Sequence, residues 1–125
     1  MTLPAAAQCP VLIVEDDADL RQMMAQVLNL EGFHAVTVAN GREALEYLED
    51  HRPKPDLILL DLNMPVMDGW EFRRKQRANP NVADVPVIVV SALDPSRVED
   101  VAADAFLKKP LDFDRLLQLV HDYCG

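Results

Sequence analysis

Two kinds of hydrophobic pattern alternate along this chain. Apolar runs at Val11-Leu12-Ile13-Val14 and Leu57-Ile58-Leu59-Leu60, and the apolar stretch Val85 to Val90, are separated by segments whose apolar residues return every three or four positions. A short apolar run bounded by polar turns reads as a strand buried on both faces, as in a parallel sheet. Spacing of i, i+3, i+4, i+7 reads as one face of an amphipathic helix. Leu20, Met23, Met24, Val27 and Leu28 follow that spacing after the first run, with Asp17 or Asp19 at the helix start and Gly32 at its end. Phe33 to Val38 alternates and carries β-branched residues, the pattern of a half-exposed edge strand. Asn40 with Glu43 three positions on predicts a capped start for a second helix. Its stripe is Ala44, Leu45 and Leu48, and Pro53 and Pro55 close it before a central strand, Asp56 to Asp61.

Asp68-Gly69 opens a third helix that ends near Asn79-Pro80. Its stripe is weak, because Trp70 and Phe72 are followed by Arg73, Arg74, Lys75, Gln76 and Arg77. That basic run is favourable to the helix macrodipole and is expected to be a solvated helix end ahead of a docking patch. Trp70 is expected on the surface, ahead of a place in the core. A strand ends at Ser91, a short fourth helix of about two turns starts at Pro95, and Ala105 to Lys108 is a final strand. The last helix buries Phe113, Leu116, Leu117 and Val120. Strict strand–helix alternation predicts an α/β fold, a doubly wound parallel sheet with helices on both faces and right-handed crossovers.

A chain of 125 residues is one domain large enough for a real core. Its net charge of -9 argues against general nucleic-acid binding, which needs clustered Lys and Arg. No stretch reaches the roughly 20 apolar residues of a membrane span. Met1 to Pro10 lacks the basic start and apolar core of a signal peptide, and is expected to be an N-terminal extension before a domain over 11–125. The expected location is the cytoplasm. Cys9 and Cys124 are too few for a disulfide framework or a zinc site. Both fall at the same end of such a sheet, which makes a bridge conceivable, but two free thiols are the expectation in a reducing compartment.

Ligands of open parallel sheets bind beyond the carboxyl ends of the strands. Those ends deliver Glu15, Asp16 and Asp17 from the first strand, Asp61 from the third, Ser91 from the fourth and Lys109 just after the fifth. Clustered carboxylates without His or Cys suit Mg²⁺, which takes oxygen ligands and keeps several waters. An Asp on a rigid strand end can attack phosphorus and form an aspartyl phosphate, a transfer that depends on positioning and charge neutralisation. Taken singly, each acid is as well explained as a helix cap or a solvated loop residue, Lys109 as a surface lysine and Ser91 as a turn residue. Their joint placement carries the reading.

The chain resembles a receiver domain of the two-component response regulators, of the single-domain chemotaxis-regulator type, from Val11 to about Tyr123. The matching residues are Val11 to Asp17, the stretch Asp61-Leu62-Asn63-Met64-Pro65-Val66-Met67-Asp68-Gly69, Ser91-Ala92 and Lys109-Pro110. The resemblance implies a flavodoxin-like (βα)5 fold with strand order 2-1-3-4-5. It implies Asp61 as phosphoacceptor, with Mg²⁺ held by Asp16 and Asp61, by Glu15 largely through water, and by the backbone carbonyl of Asn63. It makes Asp17 a first-turn helix residue, not a ligand. Lys109 and Ser91 would contact the phosphoryl group, the Lys109-Pro110 bond would be cis, and Phe106 would be the switch aromatic, acting through packing alone. The implied partners are a histidine kinase or histidine phosphotransfer protein as donor and a downstream protein as target. Neither nucleic acid nor membrane is expected as a partner, and the expected state is a monomer or weak dimer. Such a domain catalyses its own phosphorylation and dephosphorylation but is a signalling switch, not a metabolic enzyme.

Eighteen positions separate Ser91 from Lys109, about one helical turn fewer than the family's pattern, and Ala102-Ala103 replaces its usual Gly-Ala. The fourth helix is therefore expected to be short or irregular. A phosphohydrolase with an aspartyl-phosphate intermediate would want a carboxylate two residues after the nucleophile, where Asn63 stands. A degenerate receiver serving as a constitutive binding module would have lost acids or the lysine, all of which are present. A nucleotide-binding flavodoxin-like protein would want a Gly-rich loop after the first strand, which is lacking.

Overall fold

The computed structural model describes residues 9–50 and 54–124. Pro53, and all of the expected N-terminal extension but Cys9 and Pro10, lie outside the described residues. In chain order the elements are β1 (Pro10–Val14), α1 (Ala18–Leu30), β2 (His34–Val38), α2 (Gly41–Asp50), β3 (Leu57–Leu60), α3 (Gly69–Ala78) and β4 (Val87–Ser91). Two 3₁₀ turns (Pro95–Arg97 and Glu99–Val101), β5 (Ala105–Lys108) and α4 (Phe113–Cys124) complete the fold. The strands form one parallel sheet in the order β2-β1-β3-β4-β5. β3 and β4 are buried along their length and β1 from Val11 onward, whereas β2 at the edge is only half-buried.

The pleat divides the core in two. Leu12, Val14, Ile58, Leu60, Val87 and Val89 face α2 and α3, packing with Ala44, Leu48 and Phe72. Val11, Ile13, Leu57, Leu59, Ile88 and Val90 face α1 and α4, packing with Met24, Leu28, Leu116 and Val120. Met23 is the exception within the predicted stripe of α1, being half exposed. Asp17 caps α1 by accepting from the backbone N–H groups of Asp19 and Leu20, and Gly32 leaves it at φ 94°. At α2, Asn40 Oδ1 accepts from Glu43 N–H at 3.0 Å, and Glu43 reaches back to the N–H of Ala39, one residue before the usual capping-box position.

Three expectations are corrected. The run Arg73–Arg77 is not a uniformly solvated helix end, because Arg73 and Gln76 are buried and fill the gap in the stripe of α3. Arg73 donates to the carbonyls of Val101 at 3.2 Å and Ala102 at 2.7 Å and to Gln76 Oε1 at 2.8 Å; Gln76 donates to the carbonyls of Val82 and Val85, each at 3.0 Å. Backbone acceptors in the adjoining turns make these polar side chains compatible with burial. Trp70 is half-buried and packs on the core, while its Nε1–H donates to Asp100 Oδ1 at 3.3 Å. It joins α3 to the second 3₁₀ turn instead of standing free on the surface. Cys9 and Cys124 are not free thiols but a disulfide, with Cα atoms 5.9 Å apart. α4 runs back across the sheet to the edge where β1 begins, which brings the pair within bridging distance.

The short fourth helix is resolved into the two 3₁₀ turns, and the chain leaves the second through Ala102 at φ 55°, a left-handed conformation for an L-residue. Pro at the first position of the earlier turn is pre-set for it. Among the described residues, no helix is long and apolar enough to cross a membrane.

Candidate phosphoacceptor and metal site

Parallel pairing places the carboxyl ends of β1, β3 and β4 side by side. Val14 pairs with Leu60, and Asp61 N–H donates to the Val14 carbonyl at 2.9 Å, so the residues just beyond, Glu15 and Asp61, sit together at one sheet end. The backbone of Lys109 is tied to the same end by its N–H to the Ser91 carbonyl at 2.9 Å, and the Lys109-Pro110 bond is cis. Gly69 brings α3 hard against this edge. A Cβ there would lie 2.5 Å from the Asp61 carbonyl oxygen and 2.8 Å from Leu62 Cα, which explains why the helix begins on glycine.

Glu15 and Asp61 are buried and Asp16 is exposed, yet carboxylate oxygens of all three lie within 4.8 Å of one another. Lys109 Nζ lies 2.9 Å from Glu15 Oε1 and 3.5 Å from Asp61 Oδ1. Burial, reinforced by the Glu15 charge and only partly countered by Lys109, pushes the Asp61 carboxyl up to about 7. Burial works against the Lys109 ammonium, but its contacts with Glu15 and the charge of Asp61 outweigh it and the Lys109 pKa is raised. The second acid beside Asp61 is what one lysine does not neutralise.

Ser91 is buried at the end of β4, and its Oγ accepts from Leu93 N–H at 3.1 Å. Asn63 lies exposed in the loop after β3, two residues beyond Asp61. Phe106 lies on β5, half-buried against the α2/α3 core. Asp17 is occupied as the helix cap. Sequence reasoning missed Arg21, whose Nη1 donates to the carbonyl of Glu15 at 2.9 Å and also reaches that of Asp16 at 3.5 Å, bracing the acidic turn from one helical turn away. A basic residue in the first turns of α1 was the available signal.

The residues fit a hard divalent cation. The donor set is all oxygen, and Glu15 Oε1 is buried with no hydrogen-bond partner, its contact with Lys109 being close but outside hydrogen-bonding alignment.

Residues 11–121 match the family model of the response regulator receiver domain. The chain belongs to that family. The receiver is similar to the polar-differentiation response regulator DivK of Brucella anthropi, with 29% identity over 119 residues that cover 92% of this chain and 95% of DivK. Its structure is similar to that of the chemotaxis response regulator CheY4 of Vibrio cholerae, with TM-score 0.84, 32% identity, and coverage of 92% of this chain and 98% of that one. It is also similar to the receiver domain of the sensor histidine kinase PA1611 of Pseudomonas aeruginosa, with TM-score 0.84, 29% identity, and coverage of 94% of this chain and 98% of that one. The PA1611 structure has a magnesium ion coordinated in its active-site cleft. Receiver domains are switches in two-component signalling that work with histidine kinases or phosphotransfer proteins and downstream targets, and are not classical enzymes.

Proposed function

We propose that Asp61 accepts a phosphoryl group from a phosphohistidine on a histidine kinase or phosphotransfer protein, and that the phosphorylated domain changes its contacts with a downstream protein. The observation that carries this reading is the convergence of Asp61, Glu15, Asp16 and Lys109 at the carboxyl edge of the sheet. An Asp61 carboxylate oxygen forms the new bond to phosphorus while the bond from phosphorus to the imidazole nitrogen breaks, leaving histidine on the donor. Mg²⁺ would be held by Asp16, Asp61, the Asn63 carbonyl and, largely through water, Glu15; it supplies charge neutralisation for the phosphoryl oxygens. Lys109, already beside Asp61, pairs with the incoming phosphoryl group. The Ser91 hydroxyl, which accepts from Leu93 N–H, keeps its own proton to donate to a phosphoryl oxygen.

A phosphoryl group adds acceptors and roughly one further negative charge. It shifts the domain only as far as it binds one arrangement of the β4–β5 region better than the other. Phe106 has no hydroxyl, so its part in that shift is packing. Hydrolysis of the aspartyl phosphate resets the switch at the same residues. In this reading the domain acts in the cytoplasm, as a monomer or weak dimer, without nucleic acid or membrane.

The test is phosphoryl incorporation from a small-molecule phosphodonor, read by intact mass with and without Mg²⁺. The wild-type protein gains one phosphoryl group only with Mg²⁺, and Asp61→Asn gains none. A protein that stays unmodified while a control receiver labels would instead be a constitutive binding module.

A further inference from the structure

A groove of about 530 Å³ runs between α3 and the second 3₁₀ turn, on the sheet face away from α1 and α4. Trp70, Ala78 and Val101 give it apolar surface, Arg74 and Arg77 stand along the α3 side, and Asp100 lies opposite. The charge here runs against the rest of the molecule. The chain has 21 acidic residues against 12 basic ones, yet four of the basic residues fall within positions 73–77.

Within the run, the buried Arg73 donates to backbone carbonyls. Elsewhere among the described residues Arg42 pairs with Glu46, Lys108 with Asp94, and Lys109 with Glu15 and Asp61, Arg21 and Lys54 donate to backbone carbonyls, and Arg97 and Arg115 stand singly without such a partner. Arg74, Lys75 and Arg77 are exposed and, among the described residues, have neither an ion pair nor a hydrogen bond. The one acid of the groove, Asp100, accepts from the Trp70 indole and makes no ion pair with the arginines. Burial is the main influence that disfavours the charge of Arg73, Asp104 opposes it and Arg77 adds to it, so an anion at Arg77 would act in the same sense as Asp104.

We propose that this groove docks a short acidic segment of a partner protein, its carboxylates on Arg74 and Arg77 and an apolar side chain against Trp70 and Val101. Guanidinium forks are well matched to carboxylates, and the half-buried indole, fixed by Asp100, is a pre-formed anchor surface. A nucleic-acid strand fits less well. Its phosphates would run beyond this small patch onto a surface whose net charge is -9, where they are repelled. The inference does not depend on phosphorylation of Asp61. The groove is nevertheless built from the helix that follows Asp61 and from the turn whose carbonyls Arg73 holds, so an occupant touches both segments next to the switch.

The single tryptophan is a built-in reporter. The probe is a Glu-rich synthetic peptide carrying one central Leu, titrated into the full chain while the Trp70 indole N–H resonance is followed. The resonance is expected to shift saturably. Arg74→Glu with Arg77→Glu, both exposed, is expected to weaken binding roughly tenfold or more, as is raised salt. Unchanged circular dichroism and thermal midpoint establish that the variant is folded, and Arg74→Gln with Arg77→Gln, expected to weaken binding in the same direction, serves if it is not. An unmoved indole resonance overturns the proposal, as does a shift that survives the substitutions. A single-stranded oligonucleotide that displaces the peptide through the same arginines also overturns it, in favour of a nucleic-acid ligand.

Discussion

Lys109 Nζ lies nearer to Glu15 than to Asp61, 2.9 Å against 3.5 Å, so the lysine sits between two buried carboxylates and fully neutralises neither. The excess charge appears on Asp61, whose carboxyl is raised from 3.8 to about 7 by burial and by Glu15. A carboxyl with a raised folded-state pKa binds its proton more tightly folded than unfolded. Its contribution to stability is complete below about pH 4 and is lost as pH rises through about 7.

Asp61→Asn removes the ionising group and keeps the shape. Without divalent cations, the variant is expected to exceed the wild type in stability by roughly 1–3 kcal/mol at pH 8, with the gap closing as pH falls towards 4. Denaturant unfolding across that range measures it. A gap that is constant with pH would show that the substitution acts through packing.

Arg73 makes a prediction of opposite sign. It satisfies the carbonyls of Val101 and Ala102 and lies 3.9 Å from Asp104, whose own carboxylate accepts from Val87 N–H at 2.8 Å. Arg73→Met fills most of the space but strands those carbonyls, and is expected to cost roughly 2–4 kcal/mol in urea unfolding. Arg73→Lys keeps the charge without the fork and is expected to recover only part of the loss.

These two residues mark what could be read in the chain beforehand. The unbroken apolar runs gave the sheet, and the acids at their ends gave the site, because both signals are local and repeat along the sequence. The place of Arg73 and Gln76 in the interior was not legible, since a polar side chain is buried only where acceptors from distant turns reach it. The short Ser91–Lys109 interval announced an irregular fourth helix; that it would be two 3₁₀ turns leaving through a left-handed alanine depended on tertiary closure. The geometry of the bridge was legible, since both cysteines fall at one end of the sheet; it was the reducing-compartment argument that favoured free thiols.

Val66 is the second left-handed non-glycine residue, at φ 70°, in a tight turn closed by Met67 N–H to the Pro65 carbonyl at 2.8 Å. That conformation costs about 1–2 kcal/mol per L-residue, while glycine's larger unfolded-state entropy takes back about 0.5–1 kcal/mol. Ala102→Gly is therefore expected to stabilise by roughly 0.5–1 kcal/mol, and Val66→Gly, which also removes β-branching, by at least as much. Val66 is largely exposed, so little packing is lost. Thermal unfolding midpoints above that of the wild type would bear this out.

The Cys9–Cys124 disulfide closes a sequence separation of 115 residues. Reduction is expected to lower stability by roughly 2–4 kcal/mol, chiefly by releasing the unfolded chain. Cys124→Ser should match the reduced wild type and be indifferent to reductant. In a reducing cytoplasm the same pair would be open, and the stability of the reduced chain is the one that applies there. A midpoint that does not move with reductant would show the bond contributes nothing.

The same bond makes the oxidised polypeptide a covalent ring. One backbone cut in the loop after Asp61 would leave a single molecule heavier only by a water, its halves still joined through the far side of the sheet. Two fragments would separate only once the sulfurs part, so the presence or absence of reductant decides whether an electrophoresis gel displays one cut molecule or two pieces.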